Sequence, residues 1–318
     1  MNHRGPKITT KRKIKESLKR LWHLAFVVGQ KFGFDLLPRH FYSSTPDVAY
    51  LRRSHGWRRP RTMVGVLGAA LEHQLAFARQ CCTEECRSEL ARNDVYEGAC
   101  RANGEMGYGP VEAEFLFCFV ATKRPGTVIQ IGAGVSTSVI LQAAEWSGIT
   151  PRLVCIDPYP TGYLKALAAE GRIELLVQRA QDIDIPFYTG LEPGDLLFVD
   201  STHVVGPGSE VNLLVLEVLP RLKKGVFAHF HDIYFPYDYA PHTLTGLFFP
   251  VESCLLHAFL TNNSCWSIAV SLSMLHWGRP ESLVALLPQY RRAQMHDGLY
   301  AKRDPGGHFP TATYLVRV

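Results

Sequence analysis

The chain has 318 residues, 47% of them hydrophobic and 20% charged, an ordinary globular balance with a formal net charge of +5. No apolar run reaches the roughly 18–20 residues of a membrane span, and the apolar segment after the basic start is broken at Gly29, Lys31 and Gly33, unlike a secretion signal, so a cytoplasmic protein is expected. Charge is uneven: residues 1–23 carry eight basic side chains against Glu16 alone, a net +7, and the remainder sums to about −2.

From Ile14 the apolar residues Leu18, Leu21, Trp22, Ala25 and Phe26 recur at helical spacing. Such a helix either docks its stripe on its own domain with the lysines solvated, or lies as a basic amphipathic helix on an anionic membrane or RNA. A segment rich in Pro, Arg and aromatics spans Leu36–Arg61, and a helical pattern covers Val66–Arg92. Cys81, Cys82 and Cys86 fit turns of that helix and, even with Cys100 beyond them, lack the paired Cys-x-x-Cys spacing of a zinc site. A glycine-rich turn, Asn103–Pro110, leads into an apolar helix, Val111–Ala121, ended by Lys123-Arg124-Pro125-Gly126.

Strands then alternate with helices. Strands are predicted at Thr127–Ile131, Arg152–Ile156, Ile173–Val177, Asp195–Val199 and Gly225–His229, with helices at Ser136–Ser147, Tyr163–Gly171, Glu210–Leu222 and Glu252–Leu260. Trp266–Leu272 and Thr311–Arg317 are β-rich and can close the sheet. Continuous apolar strands between helices indicate a doubly wound, mostly parallel sheet of seven strands, covered on both faces. The expected division is a basic, helical N-terminal extension or lid over 1–102 and a cofactor-binding domain over 103–318. Within the latter, about 276–310 is an insertion at the active-site edge, with its own helical pattern at Glu281–Gln289.

The first strand ends in Gln130-Ile131-Gly132-Ala133-Gly134, a Gly-x-Gly turn that lets backbone approach a ligand. Ser138 stands where a dinucleotide fingerprint needs its third glycine. Asp157 closes the second strand, 23 residues past Gly134, where a carboxylate accepts from ribose hydroxyls. Gln181 and Asp182 follow the third strand, beside the place of an adenine, although Asp182 equally suits a turn cap. Strand four ends in Asp200 and His203, and strand five in His229, His231 and Asp232. Parallel neighbours direct these ends at one crevice, where two crowded carboxylates call for a cation such as Mg²⁺ or a shared proton. Either His203 or His231 can take a hydroxyl proton near neutral pH. The plainer alternative makes these residues turn caps and polar strand ends.

The segments Val128–Thr137, Ile156–Pro160, Phe198–Asn212 and Leu219–Ile233 resemble bacterial class I S-adenosylmethionine (SAM) methyltransferases, and most of all the methyltransferase family 24 group related to catechol-type O-methyltransferases. The resemblance implies that Gly132, Gly134, Ser136 and Thr137 line the methionine part of SAM and Asp157 the ribose. It implies metal-binding roles for Asp200 and Asp232, with His203 standing where catechol-type enzymes carry a lysine base. Two positions depart from the family pattern: Gln130 replaces the usual acid before the glycine turn, and Ile233 replaces the amide after the second metal carboxylate, a place His231 can fill as ligand.

The reading is therefore a SAM-dependent O-methyltransferase, with or without Mg²⁺, acting on a hydroxyl of a small molecule or glycan. His203 is the first choice of base and His231 the second. Two competitors are an NAD(P)-dependent oxidoreductase and a non-catalytic RNA- or membrane-binding protein, the latter using the basic tail and Arg52, Arg53, Arg58, Arg59 and Arg61.

Overall fold

A computed structural model describes residues 10–303 and 305–318, with side chains from Leu18 onward. The chain divides into two compact units, 1–47 and 48–318. In the first, α1 runs Thr10–Lys31. It ends where Phe34 folds back on Gly29, so closely that a Cβ there would lie 2.9 Å from the Phe34 carbonyl oxygen.

The second unit opens with a short helix α2 (Val48–Arg53) and two helices where the sequence predicts one. Of these, α3 spans Leu71–Cys81 and α4 spans Glu84–Arg92. The break has a local cause: Thr83 caps the second helix by accepting from the Cys86 N–H, a geometry that ends the first. Cys81, Cys82 and Cys86 are buried free thiols, as are Cys118 and Cys155. Next come α5 (Val95–Asn103), capped by Asp94, and α6 (Pro110–Lys123), which is buried all round.

Seven strands form the sheet: β1 (Thr127–Ile131), β2 (Arg152–Ile156), β3 (Glu174–Leu176), β4 (Leu196–Val199), β5 (Phe227–Phe230), β6 (Trp266–Ser271) and β7 (Thr313–Arg317). Their order is 3-2-1-4-5-7-6, with β7 alone antiparallel to its neighbours. Alternate strand residues feed two apolar layers. Val128, Leu153, Phe198 and Tyr314 pack with α3 to α6 and with α7 (Val135–Ser147). Ile129, Ile131, Val199 and Phe230 pack with 211–222 and with α11 (Glu252–Leu260). Between these helices in chain order lie α8 (Gly162–Ala169), α9 (Ile185–Thr189) and α10 (Glu210–Leu213).

The helix predicted for Glu210–Leu222 is irregular after its first turn. It passes through a π turn at Leu214–Val218 into a 3₁₀ turn at Leu219–Arg221. Pro220 has no N–H to continue an α-helical ladder, and the backbone loosens around it. After β6, α12 (Leu272–Gly278) and α13 (Pro280–Leu286) precede a small hairpin, Met295–His296 with Leu299–Tyr300. Among the described residues, no helix is long and apolar enough to cross a membrane.

Candidate functional site

Register decides what meets at the carboxyl ends of the strands. Ile131 pairs with Ile156 and with Val199, and Val199 pairs with Phe230. The next residue on each of these four strands is therefore Gly132, Asp157, Asp200 and His231, and all four reach one crevice.

The glycine turn is built for close approach. Gly132 sits at φ +75°, and a Cβ there would fall 1.7 Å from the Asp200 carbonyl oxygen. Gly134 sits at φ +152°, where a Cβ would press on the Asn103 side chain at 3.2 Å. Gln130 and Thr137 are fully buried beneath the turn. Gln130 Nε2 donates to Ser136 Oγ at 2.6 Å, Thr137 Oγ1 donates to Gln130 Oε1 at 2.8 Å, and the Gly134 N–H donates to Thr137 Oγ1 at 3.0 Å. These two side chains brace the turn from below, whereas Ser136 faces the crevice.

Two adjoining cavities, about 260 and 410 Å³, share Gly132, Asp157 and Asp200. The smaller reaches Asn103, Tyr108 and Ser136, and the larger reaches Arg179, Gln181 and Glu210. Asp157 accepts from the Tyr159 N–H at 2.7 Å through one oxygen and lies 3.4 Å from the Ala133 N–H through the other. Gln181 donates to the Gly208 carbonyl at 3.0 Å. Asp182 lines neither cavity; it holds Arg179 by two bonds of 2.9 and 3.0 Å. A larger cleft, about 770 Å³, lies around Arg152 and Glu174 at the opposite strand ends and contains none of these residues.

At the β4 and β5 ends the predicted acids and histidines converge. His203 Nε2 lies 3.5 Å from Asp200 Oδ1 and 3.6 Å from Asp232 Oδ2. His231 Nδ1 lies 3.3 Å from Asp200 Oδ1 and 3.8 Å from Asp232 Oδ1. Both His203 and Asp232 adopt positive φ, 57° and 53°, which turns their side chains back into the crevice. His229 does not join them: it stacks on Phe198 at 4.1 Å in the apolar layer, and burial pushes its imidazole well below its ordinary value.

Groups absent from the sequence reading hold this cluster. Glu252, fully buried on the first turn of α11, faces His203 Nδ1 at 2.7 Å. His231 Nε2 donates to the Tyr108 carbonyl at 2.8 Å, which leaves Nδ1 buried without a hydrogen-bond partner. Thr311 Oγ1 donates to Asp232 Oδ1 at 3.2 Å, and Glu112 accepts from the Thr311 N–H at 2.8 Å and meets His308 Nε2 at 2.6 Å. Two acids inside the apolar run of α6 were the available signal for Glu112. An acid on the first turn of a helix reads as a solvent-facing partner of the helix dipole, so Glu252 gave none.

The charges reinforce one another. Burial opposes ionisation of Asp200, yet His231 and His203 hold its carboxyl well below the usual carboxylate range. Burial would lower His203, but Asp200 and Glu252 raise it to about 10. Burial likewise opposes the charged form of His231, and Asp200 foremost, with Asp232 and Glu112, raises it to about 10. Among the described residues, Asp200, His203 and His231 present donor atoms within 4.8 Å of one another, close enough to share a metal ion.

Residues 129–233 match a family model described as a methyltransferase domain. The solved structures similar to this chain include the O-methyltransferase TomG from Streptomyces achromogenes in complex with SAM, at 14% identity and a TM-score of 0.42, covering 71% of this chain and 90% of that one. Cofactor-bound Rv0187 from MTB is similar at 13% identity and a TM-score of 0.43, with the same coverage. A methyltransferase from Geobacter sulfurreducens follows at 17% and 0.36, covering 59% of this chain and 91% of that one. No curated protein matches the sequence. The matched segment contains the glycine turn, Asp157 and both acid–histidine strand ends, and it lies in a sheet of order 3-2-1-4-5-7-6; residues 129–233 of this chain are therefore similar to a methyltransferase domain.

Proposed function

We propose that the chain transfers the methyl group of SAM to a hydroxyl oxygen of a small molecule or glycan. The observation that carries this reading is His203, whose Nε2 stands between Asp200 and Asp232 while Glu252 holds Nδ1 from behind at 2.7 Å. A carboxylate on Nδ1 fixes the tautomer, so a deprotonated His203 presents its Nε2 lone pair to the crevice. An arrangement of this kind suits removal of a hydroxyl proton.

Asp157 is suited to the ribose hydroxyls, and Gly132, Gly134 and Ser136 to the methionine part, with Gln130 and Thr137 supporting them. Gln181, on the larger cavity, is suited to the adenine, and Asp182 keeps Arg179 in place. In methyl transfer the oxygen gains the carbon as the sulfonium sulfur takes back its electron pair, so the chain contributes alignment and a proton acceptor. His203 and His231 both hold protons at neutral pH in the free chain. One must lose its proton before it can accept another, and a positive charge beside Asp200 favours that loss.

A divalent ion fits the cluster. His231 Nδ1 is a buried nitrogen without a hydrogen-bond partner, facing Asp200 and Asp232, and those three residues would hold the ion. An imidazole among the donors favours Mn²⁺ or Zn²⁺ over Mg²⁺, which prefers oxygen ligands and keeps its waters. Such an ion, when bound, would lower the pKa of a coordinated hydroxyl.

The test is SAM carrying a labelled methyl group, incubated with catechols, monosaccharides and oligosaccharides, beside titrations with SAM and with NADPH. The proposal expects SAM binding, no NADPH binding, and label on a hydroxyl oxygen. Label appearing only on nitrogen or carbon acceptors would overturn it.

A further inference from the structure

The unit 1–47 carries an exposed apolar surface beside a run of basic residues. At the roughly 100° per residue of an α-helix, Ile14, Leu18, Leu21, Ala25 and Val28 of α1 fall within an arc of about 80°. Trp22 and Leu24 flank that arc, while Arg12, Lys13, Lys15, Lys19, Arg20 and His23 fall on the far side, together with Phe26 and Val27. Leu18 and Leu21 are 62% and 64% exposed, and Trp22, Leu24 and Val28 are exposed as well.

We propose that α1 lies along an anionic lipid surface, its apolar arc sunk into the headgroup boundary and its lysines and arginines among the lipid phosphates. The charge argues for this occupant. Residues 10–31 carry a net +6 while residues 32–318 sum to −3, so attraction to anionic lipid is concentrated on this helix. The apolar arc argues against RNA, which is bound through charge and stacking aromatics and would leave Leu18, Leu21 and Val28 in water. A broad apolar face, an interfacial Trp22 and a lysine-rich opposite face are the pattern of helices lying in the membrane plane.

The full-length chain is sedimented with phosphatidylcholine vesicles and with vesicles containing about 30% phosphatidylglycerol, and titrated separately with single-stranded RNA. The variants are Leu18→Asp/Leu21→Asp and Lys15→Glu/Lys19→Glu/Arg20→Glu, with SAM affinity as the check that the second unit is intact. At least tenfold more protein is expected on anionic than on neutral vesicles, lost about tenfold in either variant at unchanged SAM affinity. On the anionic vesicles, Trp22 fluorescence shifts to the blue, read as the difference from Trp22→Phe. Equal partition onto both vesicle types would overturn the proposal. So would RNA binding that survives Leu18→Asp/Leu21→Asp, or a loss of thermal stability in that variant with vesicle binding unchanged, the signature of an arc packed on the protein itself.

Discussion

Glu252 Oε2 lies 2.7 Å from His203 Nδ1, a contact joining residues 49 apart in sequence and fully enclosed on the carboxylate side. Burial raises the Glu252 carboxyl, and the imidazole opposes that rise. The pair holds one proton between its two atoms, and the orientation of His203 depends on it. His203→Ala should cut turnover about 10²–10⁴-fold, the usual contribution of a positioned base, with SAM affinity within about twofold. Glu252→Gln keeps the shape but donates toward Nδ1, so it should favour the wrong tautomer and cost about 10–100-fold in kcat with little change in KM. A collapse of SAM binding in His203→Ala, read by calorimetry, would remove the assignment.

Gly132→Ala should abolish SAM binding and destabilise the fold by roughly 2–4 kcal/mol. The added Cβ meets backbone, the Asp200 carbonyl, at 1.7 Å, and no side-chain rotation relieves it. Gly171 is the control: its φ is +70° with nothing within 4 Å of a Cβ, so Gly171→Ala should carry only the left-handed strain of about 1–2 kcal/mol and leave SAM binding intact. Thermal melts and SAM titrations on both variants check the contrast. Similar losses of SAM affinity in the two would refute it.

The strand ends were legible because short β-branched runs bounded by glycine and acids have few other conformations, and parallel pairing brings their last residues to one edge. Hence Asp157, Asp200, His231 and Asp232 could be placed from the sequence, and the register of Val199 with Phe230 brings the last three together. What supports them was hidden. Glu252 and Glu112 reach the crevice through tertiary packing, and local pattern does not separate a buried acid from a solvated one. Asp182 illustrates the reverse: its place after β3 suits an adenine contact, but its two oxygens hold Arg179, three residues earlier. Two departures from the predicted helices have local causes, the Thr83 cap that splits α3 from α4 and the Pro220 that loosens the chain after α10.

The ion reading has its own consequence. With His231 Nδ1, Asp200 and Asp232 as ligands, His231→Ala should weaken Mn²⁺ or Zn²⁺ binding at least tenfold. Removing metal with a chelator should lower methyl transfer, and Mn²⁺ should restore it better than Mg²⁺. Metal content by mass spectrometry and calorimetric titration of the stripped protein check this. Activity indifferent to both chelation and added ions would leave proton removal to the histidines alone.

Glu114 gives a pH signature separate from the crevice. It is buried on α6, and both its oxygens accept from the Gln289 N–H, at 3.1 and 3.0 Å. Burial raises its carboxyl to about 8, against the lowering effect of that N–H. Because the folded value lies above the unfolded one of about 4.3, the protonated form is the one the fold favours. Its contribution is complete below the unfolded value and is lost as pH rises through about 8. Between pH 5 and 8.5 the chain should therefore lose roughly 2–4 kcal/mol through this residue. Glu114→Gln keeps an acceptor for the Gln289 N–H and cannot ionise, so its stability should fall less over that range. Denaturant melts of both proteins across the range decide the matter, since the other titrating groups cancel in the difference. Parallel curves would mean that Glu114 is ionised in the fold throughout.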